Sequence, residues 1–193
     1  MDTYAKAETL SGALLAPADR VKRAALVVAF SLLVALSAQV VVPLPWTPVP
    51  VTLQTFAVLL TGALLGPRLG AAALFAYLLE GAAGLPFFSA GRGGLGHLLF
   101  SPTAGYLLAY PVAAYVTGRL AERGWDRRYL SAAAAMAVGS AIILAGGWLG
   151  LLRFFAPAEA FARGVATFVA GDVLKIALAA AVLPSGWALV RRK

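Results

Sequence analysis

Asp172 and Lys175 are an acidic and a basic residue, three positions apart, within an otherwise apolar stretch. This spacing brings both side chains to one face of a helix. An ionisable group at the centre of a membrane helix costs about 2.5–3.5 kcal/mol, so groups of this kind are usually there for a reason. The pair is either a structural ion pair at a helix start or a solute site that offers an acceptor and a cation together.

Two more polar side chains, Glu80 and Gln54, fall inside apolar stretches. Glu80 is near the end of its stretch, where a carboxylate either lines a cavity or reaches interfacial water. The Gln54 amide can bond a ligand or a neighbouring helix, and the second role is the commoner one in helix bundles. Both residues are candidates for the site, with these alternatives open.

Residues 91–96, Gly-Arg-Gly-Gly-Leu-Gly, match the G-x-G-x-x-G pattern of dinucleotide sites. No strand is predicted before the pattern and no βαβ unit around it, so we interpret the glycines as allowing a loop to pack tightly over a cavity. A hydrolase could pair His97 with Ser89 or Ser101, but no recognisable dyad supports an enzyme. The sequence also lacks the G-x-x-x-x-G-K-[ST] motif of ATP sites.

The composition excludes several classes of site. The chain has 193 residues, no cysteine and a single histidine, so thiolate and two-histidine metal sites are excluded, and no cofactor is predicted. Hydrophobic residues make up 61% and charged residues only 12%, about half of the share in soluble domains. The net charge of +8 comes from basic residues at the edges of apolar runs, which indicates membrane orientation rather than nucleic-acid binding.

Six apolar stretches would position these residues, and we predict each to be a membrane-spanning helix: 24–42, 51–65, 69–83, 102–120, 129–151 and 171–190. The second and third are shorter than the roughly 20 residues of a usual crossing. Residues 84–101 are rich in glycine and too apolar for an ordinary loop. They predict a partly re-entrant outer loop between helices 3 and 4. A short interfacial helix is predicted at 157–168.

The fold class predicted from this pattern is an all-α integral membrane protein, with a six-transmembrane-helix bundle as a single domain over residues 1–193. Residues 1–23 are predicted to be a cytoplasmic lead-in. Of the 16 Lys and Arg residues, twelve fall on the predicted cytoplasmic side, three on the outer side, and Lys175 within the last helix. This asymmetry predicts a multi-pass protein of the cell membrane, surrounded by lipid, with both termini in the cytoplasm.

Several segments, taken in order along the chain, resemble one known family. They are 48–55 (PVPVTLQT), 62–70 (GALLGPRLG), 81–88 (GAAGLPFF), 93–96 (GGLG), 101–106 (SPTAGY) and 171–175 (GDVLK). From about residue 24 onward the sequence resembles the BioY family, the biotin-binding S components of energy-coupling-factor transporters. The resemblance implies that Asp172 and Lys175 contact biotin in a pocket near the outer face of a six-helix fold.

The resemblance also implies partners. A transmembrane coupling protein and two ATPase subunits would energise uptake, and Ala25 and Ala29 on the first helix would meet the coupling protein. Family members often carry a polar residue just before the glycine loop, whereas this sequence has Ser89-Ala90-Gly91 there. The alternatives are an S component for another vitamin and an intramembrane enzyme.

Biotin has a ureido group, a valerate carboxylate and an apolar bicycle, so its pocket needs an acceptor, a cation and an apolar wall. The sequence does not decide which group of biotin meets which charge. The expected substrate-binding residues combine the polar candidates with aromatic residues and glycines of the outer loop: Asp172, Lys175, Gln54, Glu80, Gly93, Gly94, Tyr106, Phe87 and Phe88.

Overall fold

The computed structural model describes residues 9, 10, 12 and 19–190. Its helices are α1 (Arg20–Ser37), α2 (Gln54–Leu65), α3 (Pro67–Ala82), α4 (Leu95–Phe100), α5 (Ala104–Glu122), α6 (Tyr129–Leu151), α7 (Pro157–Phe161) and α8 (Thr167–Val190). Two short strands, β1 (Val41–Val42) and β2 (Val51–Thr52), form an antiparallel pair. Most of the predicted lead-in and the last three residues lie outside the described part of the chain.

The first helix differs from its predicted range of 24–42. It begins at Arg20 because the Asp19 side chain caps it, accepting a hydrogen bond from the Lys22 backbone N–H at 2.8 Å. It ends at Ser37, and Val41 and Val42 pair instead with β2. The prolines of the 43–50 turn cannot donate backbone hydrogen bonds, so the chain turns there as a hairpin. The prediction missed this hairpin.

The other boundaries differ by smaller amounts. Helix α2 starts three residues later than predicted because the preceding residues belong to β2, and α3 starts two residues earlier because Pro67 suits a first turn. The predicted range 129–151 matches α6. The predicted interfacial helix is not separate, since α7 continues through a π-helical turn, Ala162–Ala166, into α8. Part of the predicted loop at 84–101 is helix α4.

The described residues are mostly helical, as expected for the all-α class. Two helical stretches are long and apolar enough to cross a membrane on length and composition alone: Tyr129–Leu151 and the continuous Pro157–Leu189, of 23 and 33 residues. Helix α2 is apolar but has only 12 residues. This criterion therefore singles out two of the six predicted spans.

Helix α5 lies at the centre and packs against α2, α3 and α6, while α1 packs on α3 and α8 packs on α6. Glycines permit the closest of these approaches. A Cβ built on Gly105 would lie 2.2 Å from the Gly146 carbonyl oxygen, so α5 and α6 meet backbone to backbone. We refer to the end of the bundle that carries β1, β2 and the 84–101 loop as the hairpin end.

Candidate ligand-binding site

A cavity with about 530 Å³ of empty space, partly open to solvent, lies at the hairpin end between α2, α5, α6 and α8. The lining is mostly apolar with a few polar groups: Val49, Pro50, Thr52, Gln54, Thr55, Phe88, Ser89, Thr103, Tyr106, Leu107, Tyr110, Leu144, Phe168, Asp172 and Lys175.

Asp172, which is buried, and Lys175, which is partly buried, line this cavity from α8 as an ion pair, with 3.3 Å between Lys175 Nζ and Asp172 Oδ1. Ser140 on α6 donates a hydrogen bond to Asp172 Oδ2 at 2.5 Å. The ammonium of Lys175 donates to Thr55 Oγ1 on α2 at 2.7 Å. The four side chains form a polar row across three helices, which fixes one acceptor and one cation at the edge of an apolar cavity.

Gln54 lies in the first turn of α2 and is almost fully buried. Its Nε2 donates to the Tyr77 hydroxyl, which in turn donates to the Phe87 carbonyl oxygen at 3.2 Å. Within the described part of the chain, Gln54 Oε1 has no hydrogen-bond partner, so it is the acceptor that this residue can offer to a ligand. Phe87 itself contributes its backbone here and is not part of the lining.

Aromatic rings form the apolar wall. Phe88 is fully buried, meets Tyr77 edge to face at 5.7 Å between centroids and stacks on His97 at 5.5 Å. Tyr106 donates to the Gly164 carbonyl oxygen at 2.6 Å, which ties α5 to the π-helical turn before α8. These contacts hold the rings in fixed positions around the cavity.

Three other predicted site residues lie outside this lining. A Cβ on Gly93 would lie 2.3 Å from the Leu85 carbonyl oxygen, so this glycine permits a close backbone contact. Gly94 has a φ of +93°, and its N–H donates to the Gly81 carbonyl at 2.7 Å. Both glycines secure the loop against the end of α3. Glu80, on α3, is half-buried, and its Oε2 accepts no hydrogen bond from the described residues.

His97 Nε2 and Thr103 Oγ1 are within hydrogen-bond distance, at 3.2 Å. Burial lowers the pKa of His97, and the neighbouring positive charge of Arg92 lowers it further. Among the described residues, neither Ser89 nor Ser101 hydrogen-bonds the His97 ring. The contacts of His97 therefore join α4 to the start of α5 rather than assemble a nucleophile.

Sequence reasoning missed several residues of the cavity. Ser140 and Thr55 hold the charged pair, and Tyr110 and Phe168 complete the wall. Thr55 adjoins Gln54 in the sequence, which is the one local signal. Ser140 lies 32 positions from Asp172, and only the packing of α6 on α8 brings them together.

A second cavity, with about 450 Å³ of empty space that is partly open to solvent, lies next to the first. It is bounded by the hairpin turn and by Ala90 and Arg92, and it shares Pro50 and Ser89 with the main cavity. Gln39 secures this part of the loop, because its Oε1 accepts from the Gly91 N–H at 2.9 Å. Arg92 therefore provides a cation in the cavity that adjoins the main one.

The candidate partner-binding residues lie on α1, away from the cavity. Ala25 and Ala29 are both exposed, on the same face as Val28 and Leu32. This face carries apolar side chains that no described element covers.

A sequence profile of the BioY family matches residues 7–192. The probable biotin transporter BioY of Pyrococcus horikoshii is 39% identical over 160 residues, which cover 83% of this chain and 93% of that relative. The biotin transporter BioY of Rhizobium etli is 39% identical over 166 residues, 81% of this chain and 84% of the relative. The biotin transporter BioY of Thermotoga maritima is 37% identical over 155 residues, which cover 79% of this chain and 88% of the relative.

A crystal structure of the S-component for biotin from an ECF-type ABC transporter has a TM-score of 0.79 to this structure. The match covers 90% of this chain and 93% of that one at 20% identity, so it shows a shared fold. The profile and the relatives span most of the sequence, and the resemblance drawn from the motifs is confirmed. The chain is a helical membrane protein and belongs to the BioY family.

Proposed function

We propose that the protein binds biotin at its outer face and delivers it inward as the S component of an energy-coupling-factor transporter. The observation that carries this proposal is the largely buried Asp172–Lys175 pair, held by Ser140 and Thr55 beside a mostly apolar cavity. An acceptor and a cation at one end of an apolar space suit a ureido group attached to an apolar bicycle. The relatives named as biotin transporters support the same substrate.

The charges favour one orientation of biotin. The carboxylate of Asp172 and the ammonium of Lys175 offset each other, so this end of the cavity suits the neutral ureido group: its N–H groups donate to Asp172 and its carbonyl accepts from Lys175. The valerate chain then runs past Pro50 and Ser89 into the second cavity. Its carboxylate ends near the guanidinium of Arg92.

The whole chain, residues 1–193, forms one transmembrane domain in this proposal. Its six longer helices cross the membrane, and the 84–101 loop enters partway from outside over the cavity. Both termini are cytoplasmic, so a reporter fused after Lys193 is active only if it is of the cytoplasmic type. Activity of a reporter that requires export would contradict this orientation.

The partners in this proposal are a transmembrane coupling protein and two ATPase subunits. The exposed face of α1 around Ala25 and Ala29 is suited to a partner helix, because small side chains allow a close approach. Bulky substitutions such as Ala25→Leu and Ala29→Leu are expected to block ATP-driven uptake while leaving biotin binding intact.

Equilibrium dialysis of the purified protein with labelled biotin, without nucleotide, tests the substrate. We expect saturable biotin binding and no comparable binding of riboflavin or thiamine. Arg92→Gln should weaken binding of biotin but not of its methyl ester, because the ester lacks the carboxylate. Binding of another vitamin in place of biotin would overturn the proposed substrate, and equal losses for biotin and its ester would overturn the orientation.

A further inference from the structure

A cleft distinct from both cavities of the hairpin end opens at the opposite end of the bundle. It encloses about 1,420 Å³ of space, part of it open to solvent, between the start of α1, the α2–α3 turn and the last turns of α5. The lining combines basic and apolar residues: Thr9, Gly12, Arg23, Leu65, Pro67, Arg68, Leu69, Tyr115, Arg119 and Glu122. The biotin cavity shares none of these residues.

Three guanidinium groups from three different helices converge on this cleft: Arg23 on α1, Arg68 on α3 and Arg119 on α5. Glu122 is the one acidic residue of the described lining, and it pairs with Arg119 at 2.8 Å. In the described ranges, the side chains of Arg23 and Arg68 make no hydrogen bond and no ion pair. The described lining of the cleft therefore carries an excess of positive charge that suits an anion.

The rest of the described lining is largely apolar. Leu65 and Pro67 are buried at the turn between α2 and α3, Leu69 is half-buried, and Tyr115 on α5 is 47% exposed. Cations beside the partly exposed apolar side chains of Leu69 and Tyr115 suit an amphipathic ligand better than a small hydrophilic anion. The asymmetry of Lys and Arg along the chain assigns this end of the bundle to the cytoplasmic membrane surface, where anionic lipids lie.

We propose that this cleft is a binding site for an anionic phospholipid, with its phosphate between Arg23 and Arg68 and an acyl chain along Leu69 and Tyr115. A guanidinium presents parallel N–H donors that match two phosphate oxygens, which a carboxamide cannot replace. The Arg119–Glu122 pair borders the site. The lipid links the first helix to α3 and α5 at the cytoplasmic surface.

The test uses the full chain in nanodiscs of phosphatidylcholine containing a graded fraction of phosphatidylglycerol. Native mass spectrometry then counts the lipids that remain bound. The double variant Arg23→Gln/Arg68→Gln should bind phosphatidylglycerol about twenty-five-fold more weakly, since each basic residue near a membrane surface contributes about fivefold. The matched control is Arg128→Gln, which removes an exposed arginine that does not line the cleft.

Biotin binding by the double variant shows whether it is folded, since the cleft and the biotin cavity are separate. We expect the double variant to bind biotin with near-normal affinity and to lose bound phosphatidylglycerol. The wild type and Arg128→Gln should both retain phosphatidylglycerol. Equal weakening in both variants would overturn the site in favour of general surface charge. Displacement of the lipid by an equal concentration of inorganic phosphate would show a free-anion site and would also overturn the proposal.

Discussion

Ser140 on α6 donates a hydrogen bond to the Asp172 carboxylate on α8, with 2.5 Å between Oγ and Oδ2. Both residues are nearly buried, so neither group exchanges freely with water. The bond leaves Asp172 Oδ1 directed to Lys175 at 3.3 Å, and it fixes the carboxylate relative to the cavity. Ser140 is therefore a positioning residue for the acidic half of the proposed biotin site.

Ser140→Ala is expected to weaken biotin binding about twofold to tenfold, because a carboxylate that is no longer held in place must be ordered on binding, at a cost of about 0.5–1.5 kcal/mol. In an Asp172→Asn background, Ser140→Ala should reduce biotin affinity only slightly, because Ser140 acts by positioning the carboxylate that this background lacks. Titration calorimetry on the four proteins of this cycle measures the coupling.

Ser31→Ala is the matched control, because Ser31 is also buried but bonds only the Val28 carbonyl of its own helix. It should leave affinity near normal. A Ser140→Ala effect of the same size with and without the Asp172 carboxylate would refute the positioning role.

Gly81 holds the aromatic wall in place. A Cβ at this position would lie 2.4 Å from two ring atoms of Phe88, so Gly81→Ala must displace the ring or strain the end of α3. Overpacking of this kind costs about 1–3 kcal/mol in stability, and a displaced Phe88 also weakens ligand binding. Gly96→Ala is the control, since a Cβ there meets no atom within 4 Å. Thermal unfolding should separate the two variants, and equal melting temperatures would contradict the packing argument.

His97 should make stability depend on pH. Burial and Arg92 lower its pKa in the folded protein below the ordinary value of 6.5, so the unfolded chain takes up this proton more readily. The contribution of neutral His97 to the free energy of unfolding is therefore fully present above about pH 6.5, and it is lost as the pH falls below that value. His97→Phe keeps an aromatic ring beside Phe88 and removes the titration. Melting temperatures between pH 8 and 5 should fall less steeply in this variant, and parallel profiles would contradict the prediction.

Trp187 lies near the end of α8, and Asp126 lies in the connection between α5 and α6. Nε1 of Trp187 donates a hydrogen bond to Oδ2 of Asp126 at 2.6 Å. Burial raises the pKa of Asp126, and the bond from Trp187 opposes that rise. Trp187→Phe removes the donor and leaves the carboxyl poorly satisfied, so we expect a loss of about 1–3 kcal/mol in stability. Trp125→Phe, at a partly exposed ring in the same connection, is the control. Denaturant unfolding that affects both variants equally would show that the Trp187–Asp126 bond adds nothing.

The sequence predicts those parts of the fold and site that depend on local pattern. Apolar runs that are bounded by prolines, glycines and basic residues predicted the positions of α2, α3, α5, α6 and α8 to within a few residues. The spacing of three residues also predicted that Asp172 and Lys175 lie on one face of their helix. The prediction extended the first helix through Val42, because apolarity alone does not distinguish a helix end from a short strand whose partner lies across a turn. Contacts between helices were also missed, since the spacing within α8 carries no information about Ser140 or Thr55.

The central claim is that the Asp172–Lys175 pair binds biotin rather than only stabilising the bundle. Titration calorimetry of the double variant Asp172→Asn/Lys175→Met against biotin separates the two roles, because neutralising both residues leaves no unpaired buried charge. The account predicts a folded protein, with a melting temperature near that of the wild type, that binds biotin at least tenfold more weakly. Biotin affinity close to that of the wild type in this double variant would contradict it.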